Sequence, residues 1–429
     1  MKKAVLAVML FALPALAAVP VPLTEPAQQN PPKDVKAWWP EFLGPRRDGI
    51  VHEKGLNTDW KKTPPKVLWK VPLGEGFSSF AIVGERAFTM CKRGQYDILV
   101  CLDTKNGKEL WTHELAASYI DKQEQGAGPR STPTYHDGKL YCLMPRGDLV
   151  CVSAADGKRV WAANQFKDTG AASLEGEYFY WGVSVSPLVE GDLVIVQPGG
   201  KNNNSIAAFH KNTGKLVWKV GDDSMGYASP LAVTIAGQRL LIVPTGNAVM
   251  GLAPATGKVL WRYDFGTGFT CSTPVWVDGL LWMSAAYDTG GALLDITTKA
   301  DKWTVKEIWK NKKSLQTLYT SAMIVDGHIY GCHGDTVNLL KCVELKTGKV
   351  MWSERLDESN WLLAIDGHLL CWGESGSLKL VESQATQYVE KAELPDLLGE
   401  QCWAAPALAD GRLYLRDVEH ALCLDLRKQ

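Results

Sequence analysis

The sequence of 429 residues lacks a charge bias and long apolar runs, and each absence excludes a class of protein. Its formal net charge of −1 gives no electrostatic basis for binding nucleic acid. No apolar run reaches the roughly 20 residues of a membrane-spanning helix, so we predict no transmembrane segment. Gly-x-Ser-x-Gly, a glycine-rich phosphate loop and His-Glu-x-x-His are also absent. Nothing therefore points to a serine hydrolase, a nucleotide-binding enzyme or a zinc protease.

The histidines and acidic clusters lack the spacing of metal ligands. His333 beside Cys332 is the nearest approach to a metal pair. Asp222-Asp223 and Asn202-Asn203-Asn204 could supply oxygen ligands to a hard cation, but such clusters are more often solvated turns. We therefore predict no metal site.

The N-terminus is typical of an exported protein. A basic start is followed by an apolar run from Ala4 to Leu13 and by small residues up to Ala18. We predict a signal peptide over residues 1–18, with no lipid-anchor cysteine beside it. The mature protein is expected to be periplasmic or secreted, and to be a monomer.

Residues 19–65 are interpreted as a flexible, proline-containing lead-in and an N-terminal strap. The strap is the segment Trp38-Trp39-Pro40 to Gly49, which we expect to pack on the folded domain. A ligand role for Arg46 or Asp48 is the alternative.

A repeat organises the rest of the chain. Asn106-Gly107-Lys108-Glu109-Leu110-Trp111 returns in related forms, and the Asn-Gly, Asp-Gly or Thr-Gly pairs supply the positive φ of a tight turn. The repeat spacing of 42 to 57 residues indicates a propeller or a solenoid. We interpret the tryptophans of the repeat as packing between neighbouring sheets; they are Trp69, Trp111, Trp161, Trp218, Trp261, Trp309 and Trp352.

Eight units can be counted, each with short β-rich runs around an Asp-Gly-like turn. The last unit, from Ala405, has no tryptophan strand, whereas Val67-Leu68-Trp69 is a tryptophan strand without a unit before it. We therefore predict an all-β, eight-bladed β-propeller of four-stranded antiparallel blades over residues 66–429. The N-terminal strand completes the last blade and so removes an exposed sheet edge. Seven blades is the alternative.

The Thr-Gly-Lys-x-x-Trp pattern resembles the pyrroloquinoline-quinone-type (PQQ-like) propeller repeat, over Val67 to Leu426. That family includes quinoprotein dehydrogenases and BamB-type outer-membrane assembly factors. The resemblance to the dehydrogenases implies PQQ over a disulfide of adjacent cysteines, beside a calcium ion. This sequence has no adjacent cysteine pair and no Cys-x-x-Cys-His haem site. We therefore predict no catalytic residues and no cofactor, with PQQ and calcium expected only if the chain is a dehydrogenase after all.

The ten cysteines include three pairs that recur at similar places in their units. If Arg146-Gly147 forms a two-residue turn, Cys142 and Cys151 fall directly opposite on adjacent strands. Such pairs are either cross-strand disulfides or free, buried thiols. The possible disulfides are Cys91–Cys101, Cys142–Cys151 and Cys332–Cys342; Cys402 and Cys423 are a further candidate pair, and Cys271 and Cys371 have no obvious partner.

The loops that join one blade to the next meet at one mouth of the central channel, and aromatic residues recur in them. These aromatics either plug the channel and join the blades through hydrophobic contacts, or form a platform that binds a protein, a peptide or a carbohydrate. Its candidate residues are Tyr119, Arg130, Tyr178, Trp181, Tyr227, Phe269, Tyr319, Trp361 and Trp403. The predicted function is a non-catalytic binding or scaffold module of the periplasm or cell envelope. A PQQ-dependent alcohol or sugar dehydrogenase and a BamB-like assembly factor are the alternatives.

Overall fold

The computed structural model describes residues 31, 35–123, 125–172, 180–266, 268–334, 337–399 and 401–428. The predicted signal peptide and most of the lead-in lie outside these residues. Within them, eight antiparallel sheets form the blades of a propeller, as predicted. The described part of the chain contains one helix, α1 (Gln165–Thr169), and it is too short to cross a membrane.

The strands of the N-terminal segment are β1 (Trp38–Trp39), β2 (Ile50–Val51) and β3 (Lys66–Pro72). The strands of each blade are given from the channel outward. Blade one comprises β4 (Ala81–Val83), β5 (Arg86–Arg93), β6 (Tyr96–Asp103) and β7 (Glu109–Ala117), and blade two comprises β8 (Thr134–His136), β9 (Lys139–Leu143), β10 (Asp148–Ser153) and β11 (Arg159–Asn164). Blade three comprises β12 (Leu188–Glu190), β13 (Leu193–Val196), β14 (Ile206–His210) and β15 (Leu216–Val220), and blade four comprises β16 (Leu231–Ile235), β17 (Gln238–Pro244), β18 (Ala248–Leu252) and β19 (Val259–Asp264).

Blade five comprises β20 (Val275–Val277), β21 (Leu280–Ala285), β22 (Gly290–Lys299) and β23 (Lys302–Asn311), and blade six comprises β24 (Met323–Val325), β25 (His328–His333), β26 (Leu339–Glu344) and β27 (Val350–Arg355). Blade seven comprises β28 (Asn360–Ile365), β29 (His368–Gly373), β30 (Leu378–Glu382) and β31 (Glu390–Leu394). Blade eight contains β32 (Ala407–Ala409), β33 (Arg412–Arg416) and β34 (His420–Asp425).

Strand β3 closes the ring. It pairs antiparallel with β34, from Lys66 opposite Asp425 to Pro72 opposite His420, and so becomes the outer strand of blade eight. The predicted closure by an N-terminal strand is thus confirmed, and blade eight has the same four strands as the others. Because the first and last parts of the chain share one sheet, the ring cannot open without breaking that sheet.

The fully buried Arg416 side chain joins blades eight and one. Its guanidinium donates hydrogen bonds to the carbonyl oxygens of Gly74, Ser78 and Met90, at 3.1, 3.2 and 2.9 Å. Burial lowers the pKa of Arg416 to about 10, so the side chain remains charged at neutral pH. A buried cation surrounded by carbonyl oxygens stabilises the closure because removing it would break several buried hydrogen bonds between the two blades at once.

The outer strands explain the repeated tryptophan. Each outer strand carries a bulge just before that position; in β11, Trp161 pairs with Cys151 and Arg159 pairs with Val152, which leaves Val160 unpaired. A bulge bends an edge strand and so protects it from pairing with another chain. The Trp161 indole then contacts the Gly214 turn of blade three, where an added Cβ would lie 2.5 Å from the ring.

The strap lies inside the central channel. Strand β1 pairs with β4, the inner strand of blade one, and β2 pairs in parallel with β28, the inner strand of blade seven. Arg47 is buried, pairs with Glu41 at 2.7 Å and donates a 2.8 Å hydrogen bond to the carbonyl oxygen of Pro230 in blade four. The strap therefore fills the channel and ties blades together, a more central position than packing on the outside.

Serine and threonine residues, each two positions before an inner strand, link neighbouring blades. The backbone N–H of Thr132 donates to Ser186 Oγ at 2.9 Å, and that of Ser186 donates to Ser229 Oγ at 3.0 Å. The chain continues from Ser229 to Thr273 and from Thr273 to Ser321. Five successive blades are thus held in register at one mouth of the channel.

Of the two alternatives left open for the cysteine pairs, the structure has free thiols, and all ten cysteines are free. The turn after β9 has three residues, Pro145-Arg146-Gly147, between the paired residues Met144 and Asp148. The Met144 N–H closes it with a 2.8 Å hydrogen bond to the Asp148 carbonyl. The register therefore moves by one residue, so that Cys142 lies opposite Val150 and on the other face from Cys151.

The other cysteine pairs are also out of register. Cys91 lies opposite Ile98, three residues from Cys101, which places the two thiols on opposite faces. Cys332 lies opposite Leu340, two residues from Cys342, so this pair shares a face but is diagonal. Cys402 donates to the Gly399 carbonyl and is likewise free, as is Cys423.

Candidate functional site

One side chain from each blade faces a cavity of about 350 Å³ at the channel mouth, which we call the funnel. Seven of them lie in the loops before the inner strands, and Trp361 lies in β28 itself. Seven of these eight side chains are aromatic and one is an arginine. In blade order they are Phe77, Arg130, Trp181, Tyr227, Phe269, Tyr319, Trp361 and Trp403. Phe42 of the strap and Tyr287 also line the funnel. Its volume lies at the lower end of the range of about 300–1,000 Å³ for small-ligand sites.

The aromatic rings contact one another in two groups. In the first wall, Phe77 stacks on Trp403 with 5.2 Å between ring centroids, and Tyr319 lies 6.4 Å from Trp403. In the second wall, Trp181 meets Tyr227 edge-on at 5.5 Å and Phe269 at 5.9 Å. Such arrangements are the favoured geometries of aromatic pairs and hold each ring in place.

Arg130 stands between the walls but carries no free charge into the funnel. Its guanidinium pairs with the buried Asp121 at 2.7 Å and lies 4.8 Å from the centre of the Phe77 ring. Burial lowers the pKa of Arg130, and Asp121 opposes that shift. The ion pair and the stacked ring orient the guanidinium, so it contributes a planar polar surface with little net charge.

A carboxyl group supports the first wall from behind. The Tyr319 hydroxyl donates a hydrogen bond to Glu374. Burial raises the pKa of Glu374, and its hydrogen bonds from the side chains of Tyr319 and Trp403 oppose that rise. Burial also raises the pKa of Tyr319 well above its ordinary value, so the phenol stays protonated. Glu374 therefore fixes the two rings.

Hydroxyl groups form the polar part of the lining. The Ser79 hydroxyl donates to the Ala405 carbonyl at 2.6 Å, and Ser229 Oγ accepts from the Ser186 N–H. Thr132 is 1% exposed, and its Oγ1 has no hydrogen-bond partner among the described residues. Since a hydroxyl has one donor and two acceptor sites, all three groups retain hydrogen-bonding capacity.

The structure brings together most of the sequence-predicted rim. Arg130, Trp181, Tyr227, Phe269, Tyr319, Trp361 and Trp403 all line the funnel. Tyr119 does not; it is 8% exposed, and its hydroxyl donates to the Tyr180 carbonyl at 3.3 Å. Tyr178 lies outside the described residues.

Sequence reasoning missed Phe77, Phe42 and Tyr287. Phe77 could have been found from a short spacing rule. In several junctions the funnel side chain lies two residues before a small residue, which itself lies two residues before the inner strand. The pairs are Phe77 and Ser79, Arg130 and Thr132, Tyr227 and Ser229, Tyr319 and Ser321, and Trp403 and Ala405. Phe42 has no such signal, because its place depends on the path of the strap through the channel.

The candidate cation ligands serve structural roles. Asp223 pairs with Arg262 at 2.5 Å, and Asp222 Oδ1 accepts a hydrogen bond from the Asn203 N–H. His333 Nδ1 accepts from the Gln316 N–H at 2.9 Å. In the part of the chain that the structure describes, no three His, Cys, Asp or Glu side chains come together as metal ligands.

The funnel does not fit PQQ, which is a planar tricarboxylate. Binding such an anion requires several cationic side chains or a metal ion to neutralise it. Arg130 is the one charged residue in the part of the lining that the structure describes, and Asp121 already neutralises it. The aromatic walls could stack on a quinone ring, but the carboxylates would remain unpaired.

Comparison with known proteins places the chain in a family. Tetrathionate hydrolase of Acidithiobacillus ferrooxidans is 24% identical over 254 residues, which are 56% of this chain and 47% of that protein. Quinoprotein ethanol dehydrogenase of Pseudomonas aeruginosa is 29% identical over 168 residues, 36% of this chain and 26% of that protein. The chain thus spans less than half the length of these curated relatives.

The crystal structure of BamB from Moraxella catarrhalis matches with a TM-score of 0.59 and 14% identity, covering 85% of this chain and 98% of that chain. This likeness concerns the fold. A family model described as outer membrane protein assembly factor BamB matches residues 57–202 and 202–362, which is most of the chain. The PQQ-like propeller resemblance seen in the repeats is therefore confirmed, and the chain belongs to the family of outer membrane protein assembly factor BamB.

Proposed function

We propose that this protein is a non-catalytic binding module of the cell envelope, and that its ligand enters the funnel. The observation that carries the proposal is the ring of side chains from all eight blades around one cavity. Rings held by their neighbours form a preorganised surface, so little conformational entropy is lost on binding. The family's description as an outer-membrane assembly factor supports an envelope location and a protein partner.

The ligand is a neutral group with flat apolar faces, carried by a protein, a peptide or a carbohydrate. Among the described residues of the lining, the one charged side chain is balanced by Asp121, so a ligand with a net charge would find no partner for it there. This argument disfavours a quinoprotein dehydrogenase, even though quinoprotein ethanol dehydrogenase is a relative.

The proposal is tested by supplying PQQ and calcium to the mature protein and assaying dye-linked oxidation of alcohols and sugars. We expect no turnover that depends on the quinone. In parallel, the neutral probe N-acetyltyrosinamide should quench the fluorescence of the funnel tryptophans in a saturable way. Quinone-dependent turnover would contradict the proposal, as would a failure of every neutral probe to bind.

A further inference from the structure

We infer that the neutral ligand of the funnel is a sugar ring of an oligosaccharide. This inference rests on the proposed function and narrows it to one class of ligand. It follows from three features of the cavity: the hydroxyl groups of its lining, the spacing of its aromatic walls around them, and the blocked strand edges beneath it.

The hydroxyl groups need a polar ligand. Ser79, Thr132 and Ser229 belong to three different blades, so their oxygens are spread around the cavity. A buried hydroxyl without a partner is energetically unfavourable, and Thr132 Oγ1 lacks one within the described residues. A ligand that carries hydroxyl groups around its circumference can satisfy several such oxygens at once, which a phenyl ring cannot.

The aromatic walls need an apolar ligand face. Trp403 and Trp181 are both half-buried and lie in opposite walls, each held by ring contacts within its own wall. A pyranose ring has C–H bonds on its faces and hydroxyl groups at its edge. It can therefore stack on tryptophan while its hydroxyls bond to the serine and threonine side chains.

The polar groups beside the walls suit neutral hydroxyls as well. Gln125 accepts a 2.7 Å hydrogen bond from the Trp181 indole, and its amide N–H₂ group can donate to a ligand oxygen. The Arg130 guanidinium is fixed by Asp121 and Phe77. Planar amide and guanidinium groups bond to vicinal hydroxyls without requiring a charge on the ligand.

An extended peptide is less well accommodated. Peptides bind sheet proteins most readily by adding a strand to a free edge. Strand β1 already covers the inner edge of blade one, and β2 covers that of blade seven. Phe42 of the same strap lines the funnel, so the strap already occupies channel space that an added peptide strand would need.

The test is a tryptophan fluorescence titration of the mature protein with maltotriose, cellotriose and chitotriose. Trigalacturonate is the charged comparison, and N-acetyltyrosinamide is the peptide-like one. We expect at least one neutral trisaccharide to bind saturably and trigalacturonate to bind at least ten-fold more weakly. Equal binding of the charged sugar, or no change with any neutral trisaccharide at millimolar concentration, would overturn the inference.

Three variants locate the sugar. Thr132→Val removes one hydroxyl at nearly constant shape and keeps the backbone bond to Ser186, so we expect about ten-fold weaker sugar binding with little effect on N-acetyltyrosinamide. Trp403→Ala should weaken both ligands about ten-fold. Trp303→Phe, in the outer strand of blade five, is the control and should leave both unchanged.

The results distinguish a failure of the sugar inference from a failure of the proposed function. If N-acetyltyrosinamide binds and no sugar does, the sugar inference fails and the proposed function stands. If PQQ with calcium binds and the neutral probes do not, both fail. Sugar binding that is unaffected by Thr132→Val and Trp403→Ala would place the sugar elsewhere and would also overturn the inference.

Discussion

The indole N–H of Trp161 in blade two donates a 2.8 Å hydrogen bond to the carbonyl oxygen of Lys211 in blade three. The same ring covers Gly214, the glycine of the next repeat's turn. This relationship recurs between other neighbouring blades, as with Trp218 and Gly257. The two most regular features of the repeat, its tryptophan and its glycine, are thus the two sides of one contact between blades.

Replacing the glycine should break that contact. Gly214→Ala places a Cβ 2.5 Å from the Trp161 ring at a φ of +68°, so we expect a loss of about 3 kcal/mol in the free energy of unfolding. Gly138→Ala is the matched control, because Gly138 has a similar φ of +74° and nothing within 4 Å. It should cost about 1 kcal/mol. Urea denaturation compares the two, and equal losses would contradict the interpretation.

Arg416 should contribute strongly to ring closure. Arg416→Met removes the buried hydrogen bonds to the carbonyl oxygens of Gly74, Ser78 and Met90, and we expect a loss of about 3 kcal/mol in the free energy of unfolding. Arg427→Met, which removes an exposed pair with Asp425, should cost less than about 1 kcal/mol. Thermal unfolding of both variants tests this; a similar change in Tm would argue against a special role for Arg416.

Asp97 should make the stability depend on pH. It is fully buried, and burial raises its pKa to about 7 from an ordinary value of 3.8. The folded state therefore holds this proton more tightly, so Asp97 destabilises the protein progressively as pH rises from about 4 to about 7. Nearby Lys92 and the Ser118 hydroxyl oppose the shift, and Asp148 adds to it.

Asp97→Asn should accordingly raise the free energy of unfolding at pH 8, by a few kcal/mol, and change it little at pH 4. The control is Asp295→Asn, since Asp295 is a half-exposed strand residue. Chemical denaturation at both pH values provides the measurement. A stability difference between wild type and Asp97→Asn that is the same at both pH values would show that the carboxyl does not titrate as described.

The cysteines should behave as ten free thiols. Alkylation in denaturant without a reductant, followed by mass spectrometry, should add ten labels to the chain. In the native protein, labelling should be slow, because burial raises the pKa of thiols such as Cys101 to about 12 and depletes the reactive thiolate. Fewer than ten labels in denaturant would indicate disulfides.

The blade architecture was predictable from the sequence because each unit carries its own signals. Asp-Gly turns such as Asp137-Gly138 adopt the positive φ that their composition predicts, at 46° and 74°. The choice between disulfides and free thiols could not be made from the sequence, because a one-residue difference in turn length exchanges the faces of a strand. Pro145-Arg146-Gly147 gave no sign of which length applied.

The candidate site was predictable in part for the same reason. Rim residues that recur once per blade, such as Trp181 and Trp403, could be placed by their position in the repeat. The filling of the channel could not, because it depends on pairings between distant segments, such as β2 with β28. Because the strap lies outside the repeat, its sequence has no periodic signal that would predict which strands it pairs with.

The central claim is that the funnel is the binding site, and filling it tests that claim most directly. Leu318 lines the funnel and is half-exposed, so Leu318→Trp should occupy the cavity without disturbing the core. Leu110→Trp, at an apolar position 46% exposed on an outer strand, is the control. Binding of N-acetyltyrosinamide, measured by calorimetry, should weaken at least ten-fold in Leu318→Trp and stay unchanged in Leu110→Trp. Equal binding by both variants would contradict the account.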